Sequence, residues 1–289
     1  MSVARCPGSC GELIQGWILG SEKLVSCPID WYSTVEVCDG IPRADERPLT
    51  RAMVEALLAH FGYPQALSPA LRVEVDSTLP IAKGMASSTA DIAATAVAAA
   101  HHLGHSLDET TLAALCVALE PTDSTLFRQL TLFDHHHAGT QIACAPAPHF
   151  DLLVLESPVL LRTADYHRLP REAALKAHAG ELQQAWEKVQ NACIQQDASL
   201  LGEAATLSAI ASQALLPKPG FAALMTLVES CDLYGLNVAH SGSVVGLMLD
   251  PRRHDVEYLK WALTQKKLTD HWPKQHLLRA VPGGVQLSA

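Results

Sequence analysis

Long apolar runs, an excess of basic residues and paired cysteine motifs are all missing from this sequence. No window reaches the ~18 consecutive apolar residues that a membrane-spanning helix needs. The formal net charge is −9, from 21 basic and 30 acidic residues, which argues against binding to nucleic acid or to an anionic membrane. An anionic small ligand is still allowed, because a local site can be positive on an acidic protein.

The cysteines form neither a metal-binding nor a disulfide pattern. Eight of them are scattered along 289 residues, without the paired C-x-x-C spacing of a zinc site and too sparsely for a disulfide scaffold. No secretory segment is recognised, since "MSVARCPGSCGEL" turns polar before any apolar core begins. We therefore expect reduced, mostly buried thiols in a cytoplasmic protein.

Two histidine clusters, "HHLGH" at 101–105 and "DHHH" at 134–137, raise the question of a metal site. Gly104 is expected to end a helix between His101 and His105, which would remove their i,i+4 relation. Surface or loop histidines are the favoured interpretation of both clusters, and metal ligation is the alternative.

Known nucleotide-loop signatures are absent too, because neither G-x-x-x-x-G-K-[ST] nor G-x-G-x-x-G occurs. The chain has instead "PIAKGMASSTAD" at 80–91, which follows the alternating, strand-like "LRVEVD" at 71–76 and opens an alanine-rich helix that Gly104 ends. A helix start has unpaired N–H groups and the positive end of the helix dipole. Small residues there let an anion approach closely, so this stretch predicts a phosphate cradle, with an ordinary N-cap before a core helix as the alternative.

Further helices and strands are predicted from hydrophobic periodicity and from residues that cap or break helices. A helix is predicted with Ser106 and Glu109 as a capping box and Pro121 as its stop. Other segments predict a strand at 150–158, helices at 172–196, 198–215 and 221–233, and a strand–turn–strand unit at 236–250. Proline-rich 144–151 is the expected linker between two halves, residues 1–148 and 149–289.

The stretch at 80–91 closely resembles the ATP loop of the GHMP kinases, whose pattern is P-x-x-x-G-L-G-S-S-A, although Met85 replaces the leucine and Ala86 replaces a glycine. "CPGSCGELIQG" (6–16) resembles the N-terminal substrate motif of that family, and "AHSGSVVGLM" (239–248) resembles its C-terminal glycine-rich motif. The resemblance implies an α+β fold with two domains, a ribosomal-S5-like N-terminal half and a ferredoxin-like C-terminal half.

Within the family, these segments together with "LEPTDST" (119–125) look like the bacterial L-threonine kinases of cobalamin synthesis. That branch uses ATP to make the threonine phosphate from which the aminopropanol linker of the cobalamin nucleotide loop is built. The open alternatives are a kinase for homoserine or another small hydroxyl compound, a ligand-binding regulator, and an ATP-using decarboxylase. A homodimer is compatible with the sequence, which fixes no oligomeric state.

The resemblance assigns the phosphate-side roles residue by residue. ATP would be held by the loop, where Lys83 would add charge; the loop positions are Pro80, Lys83, Gly84, Met85, Ala86, Ser87, Ser88 and Thr89. Mg²⁺ would be bound by Ser88 and Glu120. Asp123 would serve as base or orient the acceptor hydroxyl, with a turn aspartate bonded to its own backbone as the alternative and Asp134 as the other nearby carboxylate.

Threonine also needs partners for its ammonium and carboxylate groups. Glu12 and Gln15 are candidates for the ammonium, and Arg168 in "RTADYHRLP" is the candidate for the carboxylate. The first motif also contributes Ser9 as an expected substrate contact. Ser241, Gly242 and Ser243 are expected beside the phosphates or the substrate as a turn of small residues.

Overall fold

The computed structural model describes residues 1–161, 166 and 168–288. The first 39 residues form a long antiparallel hairpin of β1 (Ser2–Ile18) and β2 (Ser21–Asp39). The other helices and strands, in chain order, are α1 (Pro48–His60), β3 (Leu71–Ser77), α2 (Ser87–His102), α3 (Glu109–Val117), β4 (Thr131–Phe133), β5 (Gln141–Ala143), β6 (Asp151–Glu156), α4 (Glu172–Ala177), α5 (Ala179–Gln195), α6 (Ala198–Ser212), α7 (Phe221–Ser230), β7 (Gly235–Val238), β8 (Val245–Leu249), α8 (Val256–Gln265), β9 (Lys274–Arg279) and β10 (Gln286–Leu287).

One continuous sheet connects both halves of the chain. Its strand order is β5-β4-β2-β1-β7-β8-β6-β9, with β3 paired to β2 and β10 paired to β1, and all of these neighbouring strands are antiparallel. The junction lies where Glu12 of β1 is opposite Val238 of β7. Helices cover this mixed structure, as the predicted α+β class requires.

Helix α2 is buried on nearly all sides, which explains its alanine-rich sequence. It packs against β1, β2 and α1, and its alanines from Ala90 to Ala100 are almost fully buried. Small side chains let the helix axis approach the strands closely, so the start of α2 is held firmly against the centre of the sheet.

Most of the elements predicted between 71 and 250 are confirmed, with two exceptions. The capping box of Ser106 and Glu109 is wrong: α3 is capped by Asp108, whose carboxylate accepts the N–H of Thr111 at 2.7 Å. The single helix predicted over 172–196 is interrupted at His178, which separates α4 from α5.

The state of the cysteines and the character of the helices match what the sequence composition predicts. All eight cysteines are free thiols. Among the helices described in the structure, none is long and apolar enough to cross a membrane.

Candidate active site

A cavity of ≈ 560 Å³ opens where β1, the start of α2 and the segment after α3 meet. Its wall contains the loop Gly84–Thr89, Glu120 and Asp123, together with Glu12 and Gln15 of β1. Residues from three separate stretches of the sequence are therefore brought together around one space.

The start of α2 presents unsatisfied amide donors to this cavity. Ala86 lies at the N-cap in the left-handed region, with φ 54°, and no side chain of the described residues caps the helix. The N–H groups of the first turn are consequently available to an anion, and the positive end of the helix dipole adds to the attraction. Ser87, Ser88 and Thr89 supply hydroxyls at the same wall.

The loop is fixed from behind by backbone contacts. The amides of Ser9 and Gly11 donate to the carbonyls of Met85 and Gly84 at 3.0 and 3.1 Å. Gly84 has a φ of +80°, and a Cβ on it would lie 2.3 Å from the Cβ of Ala239. Close approach and left-handed backbone together require glycine here, so the cradle depends on packing between the loop and the C-terminal turn.

Two loop residues point elsewhere. Pro80 is only half-buried and does not line the cavity. The Lys83 ammonium is buried against the carbonyls of Ser157 and Val159, the second at 3.1 Å. Burial also lowers its pKa. In this structure Lys83 fastens the loop to the segment after β6 and does not face the cavity.

Ser88 and Glu120 meet across the cavity wall. Burial raises the pKa of the Glu120 carboxyl, and the nearby Ser88 hydroxyl offsets part of that rise. A hydroxyl oxygen and a carboxylate oxygen are hard donors of the kind that Mg²⁺ prefers, so the predicted pair fits a magnesium site beside the phosphate cradle.

Asp123 is half-buried and lines the same cavity as these oxygens and Glu12 of β1. It accepts hydrogen bonds from Ser26 at 3.2 Å and from Thr89 at 3.4 Å. Burial, followed by the negative charge of Glu12, raises the pKa of Asp123 to about 7. A carboxylate with a pKa near neutrality can accept a proton from an alcohol in the reaction and release it to water afterwards.

Asp134, the other nearby carboxylate, occupies a different environment. Its oxygen accepts the backbone N–H groups of His136 and His137 at 3.1 and 3.0 Å, and these bonds help to lower its pKa. Asp134 therefore caps its own turn and does not line the cavity.

Glu12, on the cavity wall, is held in place by hydrogen bonds from His240. One carboxylate oxygen, Oε2, accepts the backbone N–H of His240 at 2.8 Å and lies 3.1 Å from Nδ1 of the same residue. Gln15 also lines the cavity, but its side-chain amide donates to Glu22 at 3.1 Å.

The remaining predicted contacts are divided between the cavity and its support. Ser241 lines the cavity. Ser9 is fully buried and bonds to the carbonyls of Gly11 and Cys27, the second at 3.2 Å. Gly242 packs on the Lys83 carbonyl, and Ser243 donates to Val159 at 2.7 Å. These three lie behind the loop and position it.

Arg168 and its segment lie at the edge of the described chain. Arg168 is exposed and does not line the cavity, and the other residues of "RTADYHRLP" up to 165, together with His167, lie outside the described residues. The predicted carboxylate contact is therefore not brought into the cavity by the described residues.

Sequence reasoning missed a group of side chains next to Gln15. His135 is buried and lines the cavity, 3.9 Å from Glu22, while His136 lies 3.6 Å from the same carboxylate. Arg171 pairs with Glu22 at 2.5 Å. The "DHHH" cluster was the sequence feature that could have indicated this group. Only the folded structure shows that its histidines lie beside the carboxylate of Glu22. The histidines at 101–105 make structural contacts, such as the stacking of His105 on Phe61 at 4.0 Å.

Comparisons with known proteins agree with this geometry. Residues 48–127 match the family described as GHMP kinases N terminal domain. The chain is 73% identical over 287 residues to an L-threonine kinase from Citrobacter freundii, covering 99% of this chain and 100% of that protein. It is 72% identical to an L-threonine kinase from Salmonella typhimurium, covering 99% and 96% of the two chains.

A solved structure of a protein designated MDDEF, in complex with MVAPP, AMPPCP and magnesium, has a similar fold. The TM-score is 0.72 at 18% identity, with coverage of 99% of this chain and 98% of that chain. At that identity the likeness concerns the fold, and the near-full-length relatives show the family. The chain belongs to the GHMP kinases, in the group that includes these L-threonine kinases.

Proposed function

We propose that the protein is an L-threonine kinase that converts ATP and L-threonine to ADP and O-phospho-L-threonine. The observation that carries the proposal is that Asp123 lines one cavity with the Ser88–Glu120 pair and Glu12, and that the charges of both glutamates act on it. This arrangement offers what transfer to an alcohol needs: a place for phosphates, an oxygen site for a cation and a proton acceptor. The two relatives at 73% and 72% identity carry the same activity in their names.

The triphosphate is placed against the uncapped start of α2. The amides of Ser87 and Ser88 and the hydroxyls of the loop would bind phosphate oxygens, and the helix dipole would offset their charge. Ser88 and Glu120 would hold Mg²⁺, which offsets negative charge on the phosphates when bound. The complex of MDDEF with AMPPCP and magnesium supports this choice of ligands for the fold.

Asp123 takes the proton of the acceptor hydroxyl. The threonine Oγ forms a bond to the γ-phosphorus, the bond from that phosphorus to the β,γ-bridging oxygen breaks, and the proton passes to a carboxylate oxygen of Asp123. Ser26 and Thr89 hold the carboxylate in place. Their hydrogen bonds orient it toward one position in the cavity.

Glu12 would bind the threonine ammonium. Its carboxylate lines the cavity within the electrostatic range of Asp123, so an ammonium at Glu12 would bring the β-hydroxyl of a short amino acid toward Asp123. Arg168 stays the proposed partner for the threonine carboxylate. Gln15 and His135 also line the cavity and would limit the room for longer acceptors.

The product would feed cobalamin synthesis. The segments shared with the L-threonine kinases of that route support the proposal that phosphothreonine supplies the aminopropanol linker of adenosylcobalamin. Eight free thiols fit a protein that works in the reducing cytoplasm.

Product identification tests the proposed function. Purified protein is incubated with Mg-ATP and L-threonine, and the mixture is followed by ³¹P NMR and mass spectrometry. We expect O-phospho-L-threonine and ADP in equal amounts, with a Ser88→Ala, Glu120→Ala double variant run in parallel forming phosphothreonine roughly 30- to 1,000-fold more slowly. Release of inorganic phosphate without phosphothreonine would contradict the proposal.

A further inference from the structure

Glu12, the residue proposed to bind the ammonium, is itself held by a buried histidine. His240 is 3% exposed and lies in the turn after β7, and Glu12 is equally buried on β1. Nothing in the sequence singled out His240, because the contact joins residues that are 228 positions apart.

The surroundings of the ring determine which nitrogen carries the proton. Nδ1 of His240 lies 3.1 Å from Oε2 of Glu12 and 3.2 Å from the carbonyl oxygen of Val238. Both neighbours are hydrogen-bond acceptors when Glu12 is ionised, so Nδ1 must be a donor.

The other ring nitrogen of His240, Nε2, faces the hydroxyl of Ser208, and Nε2 is the nearest acceptor for the proton of that hydroxyl. Nε2 lies 3.0 Å from Oγ of Ser208 on α6, and that oxygen already accepts the backbone N–H of Gln15 at 3.0 Å. The hydroxyl proton can go to Nε2 at 3.0 Å or to the Gln15 carbonyl at 3.5 Å. The shorter contact favours donation to Nε2, which requires a neutral ring with its proton on Nδ1.

We propose that His240, as the neutral Nδ1–H tautomer fixed by Ser208, is a positioning residue that orients Glu12 toward the acceptor ammonium. Two donors of His240, its backbone N–H and Nδ1–H, meet at Oε2 of Glu12. Among the described residues no donor is bonded to Oε1, and Glu12 lines the cavity. One oxygen is thus anchored and the other is left for the ligand, and the neutral ring adds no positive charge beside Glu12. The inference rests on the proposed function.

The same anchor links acceptor recognition to the sheet junction. Gly11 packs so closely on Ala239 that a Cβ there would lie 2.5 Å from the Ala239 nitrogen. Glu12 is paired with Val238 in the only register position between β1 and β7 that the described strands show. The carboxylate is therefore positioned from both halves of the chain, and His240 is the polar contact that sets its orientation.

Kinetics of three variants test the proposal. His240→Leu removes the Nδ1 donor, and we expect KM for L-threonine to rise about 10- to 100-fold, as loss of a hydrogen bond to a charged group implies, with KM for ATP unchanged. His240→Asn places an amide N–H near the former Nδ1 and should restore most of the affinity for threonine. Ser212→Ala is the control: it removes another buried α6 hydroxyl, which bonds to the Ala209 carbonyl at 2.7 Å, and should leave both KM values unchanged.

A measurement independent of turnover accompanies the kinetics. Long-range ¹H–¹⁵N spectra of histidine-labelled protein should show an Nδ1–H tautomer for the signal that disappears in His240→Asn. An imidazolium or Nε2–H signal would overturn the inference, and so would equal rises in KM for threonine and ATP or an Asn variant as impaired as Leu. If the wild-type protein fails to phosphorylate threonine, the proposed function fails, while the tautomer still decides whether His240 anchors Glu12.

Discussion

Replacing Asp123 by asparagine separates its chemical role from its structural role. Asparagine keeps the size of the side chain and can still bond to Ser26 and Thr89, but it cannot accept a proton from the acceptor hydroxyl. A general base contributes ~10²- to 10⁴-fold to a rate, and we expect kcat to fall by that amount. KM for ATP should stay unchanged, because Asp123 acts on the acceptor.

The same substitution should stabilise the fold at alkaline pH. The pKa of Asp123 is raised from 3.8 to about 7 by burial and neighbouring charge. The folded state therefore binds a proton that the unfolded state has already lost, so this group contributes stability below about pH 4 that disappears as pH rises to about 7. The difference between 3.8 and about 7 corresponds to at most about 4 kcal/mol of folding free energy that is lost when Asp123 ionises. Asparagine is neutral at every pH, so the variant does not lose this stability.

Denaturant unfolding at pH 5 and pH 8, together with steady-state kinetics, measures both effects. The gain in unfolding free energy of Asp123→Asn should be larger at pH 8 than at pH 5. Asp134→Asn is the matched control: the pKa of Asp134 is lowered, so its ionised form stabilises the fold, and its replacement should destabilise the protein at pH 8 with little loss of kcat. A wild-type rate for Asp123→Asn, or lower stability at pH 8, would refute the reasoning.

Three further outcomes follow from the site. Ser88→Ala and Glu120→Ala should each raise the activation free energy for phosphoryl transfer by about 2–4 kcal/mol. The double variant should lose far less than the sum of the two single losses, because both side chains are proposed to act through one ion. Additive losses in kcat would show that the two side chains act independently. Glu12→Gln removes a charge that raises the pKa of Asp123, so the acidic limb of the kcat–pH profile should move to lower pH, and an unmoved limb would show that the charge does not reach Asp123. Ala86→Gly relieves a left-handed backbone with φ 54° and should change the unfolding free energy by no more than about 1 kcal/mol while keeping activity, which thermal unfolding and the ADP-release assay check.

The strand and helix around the proposed phosphate cradle could be predicted because their signal is local. A strand, a run of small residues and an alanine-rich helix follow one another within 71–102, and the structure has β3, the loop and α2 in that order. Burial of the alanines and the left-handed Gly84 are direct consequences of those residue types.

The hairpin of β1 and β2 could not be predicted in the same way. The first motif contains Pro7, Gly8, Gly11 and Gly16, which indicate turns, and the structure accommodates them with register shifts between Pro7 and Glu12 and beyond. Bulges let a glycine-rich motif remain within a strand, and no local pattern indicates this.

The direction of individual side chains depended on tertiary contacts. Lys83 lies in the loop as expected, but carbonyls after β6 bind its ammonium. His240 reaches Glu12, and Ser208 reaches His240, only because α6 and the turn after β7 pack on β1. The division of the chain at residues 148 and 149 stays a prediction.

A comparison of acceptors tests the central claim most directly. Initial rates with Mg-ATP give kcat/KM for L-threonine, L-serine, L-homoserine and D-threonine under identical conditions. We expect L-threonine to be best, with L-serine closest because it lacks only a methyl group worth ~1–3 kcal/mol in an apolar pocket. L-homoserine and D-threonine should be worse, because a displaced hydroxyl loses its alignment with Asp123 and the γ-phosphate, which can cost ~10²-fold. A higher kcat/KM for L-homoserine than for L-threonine would contradict the account.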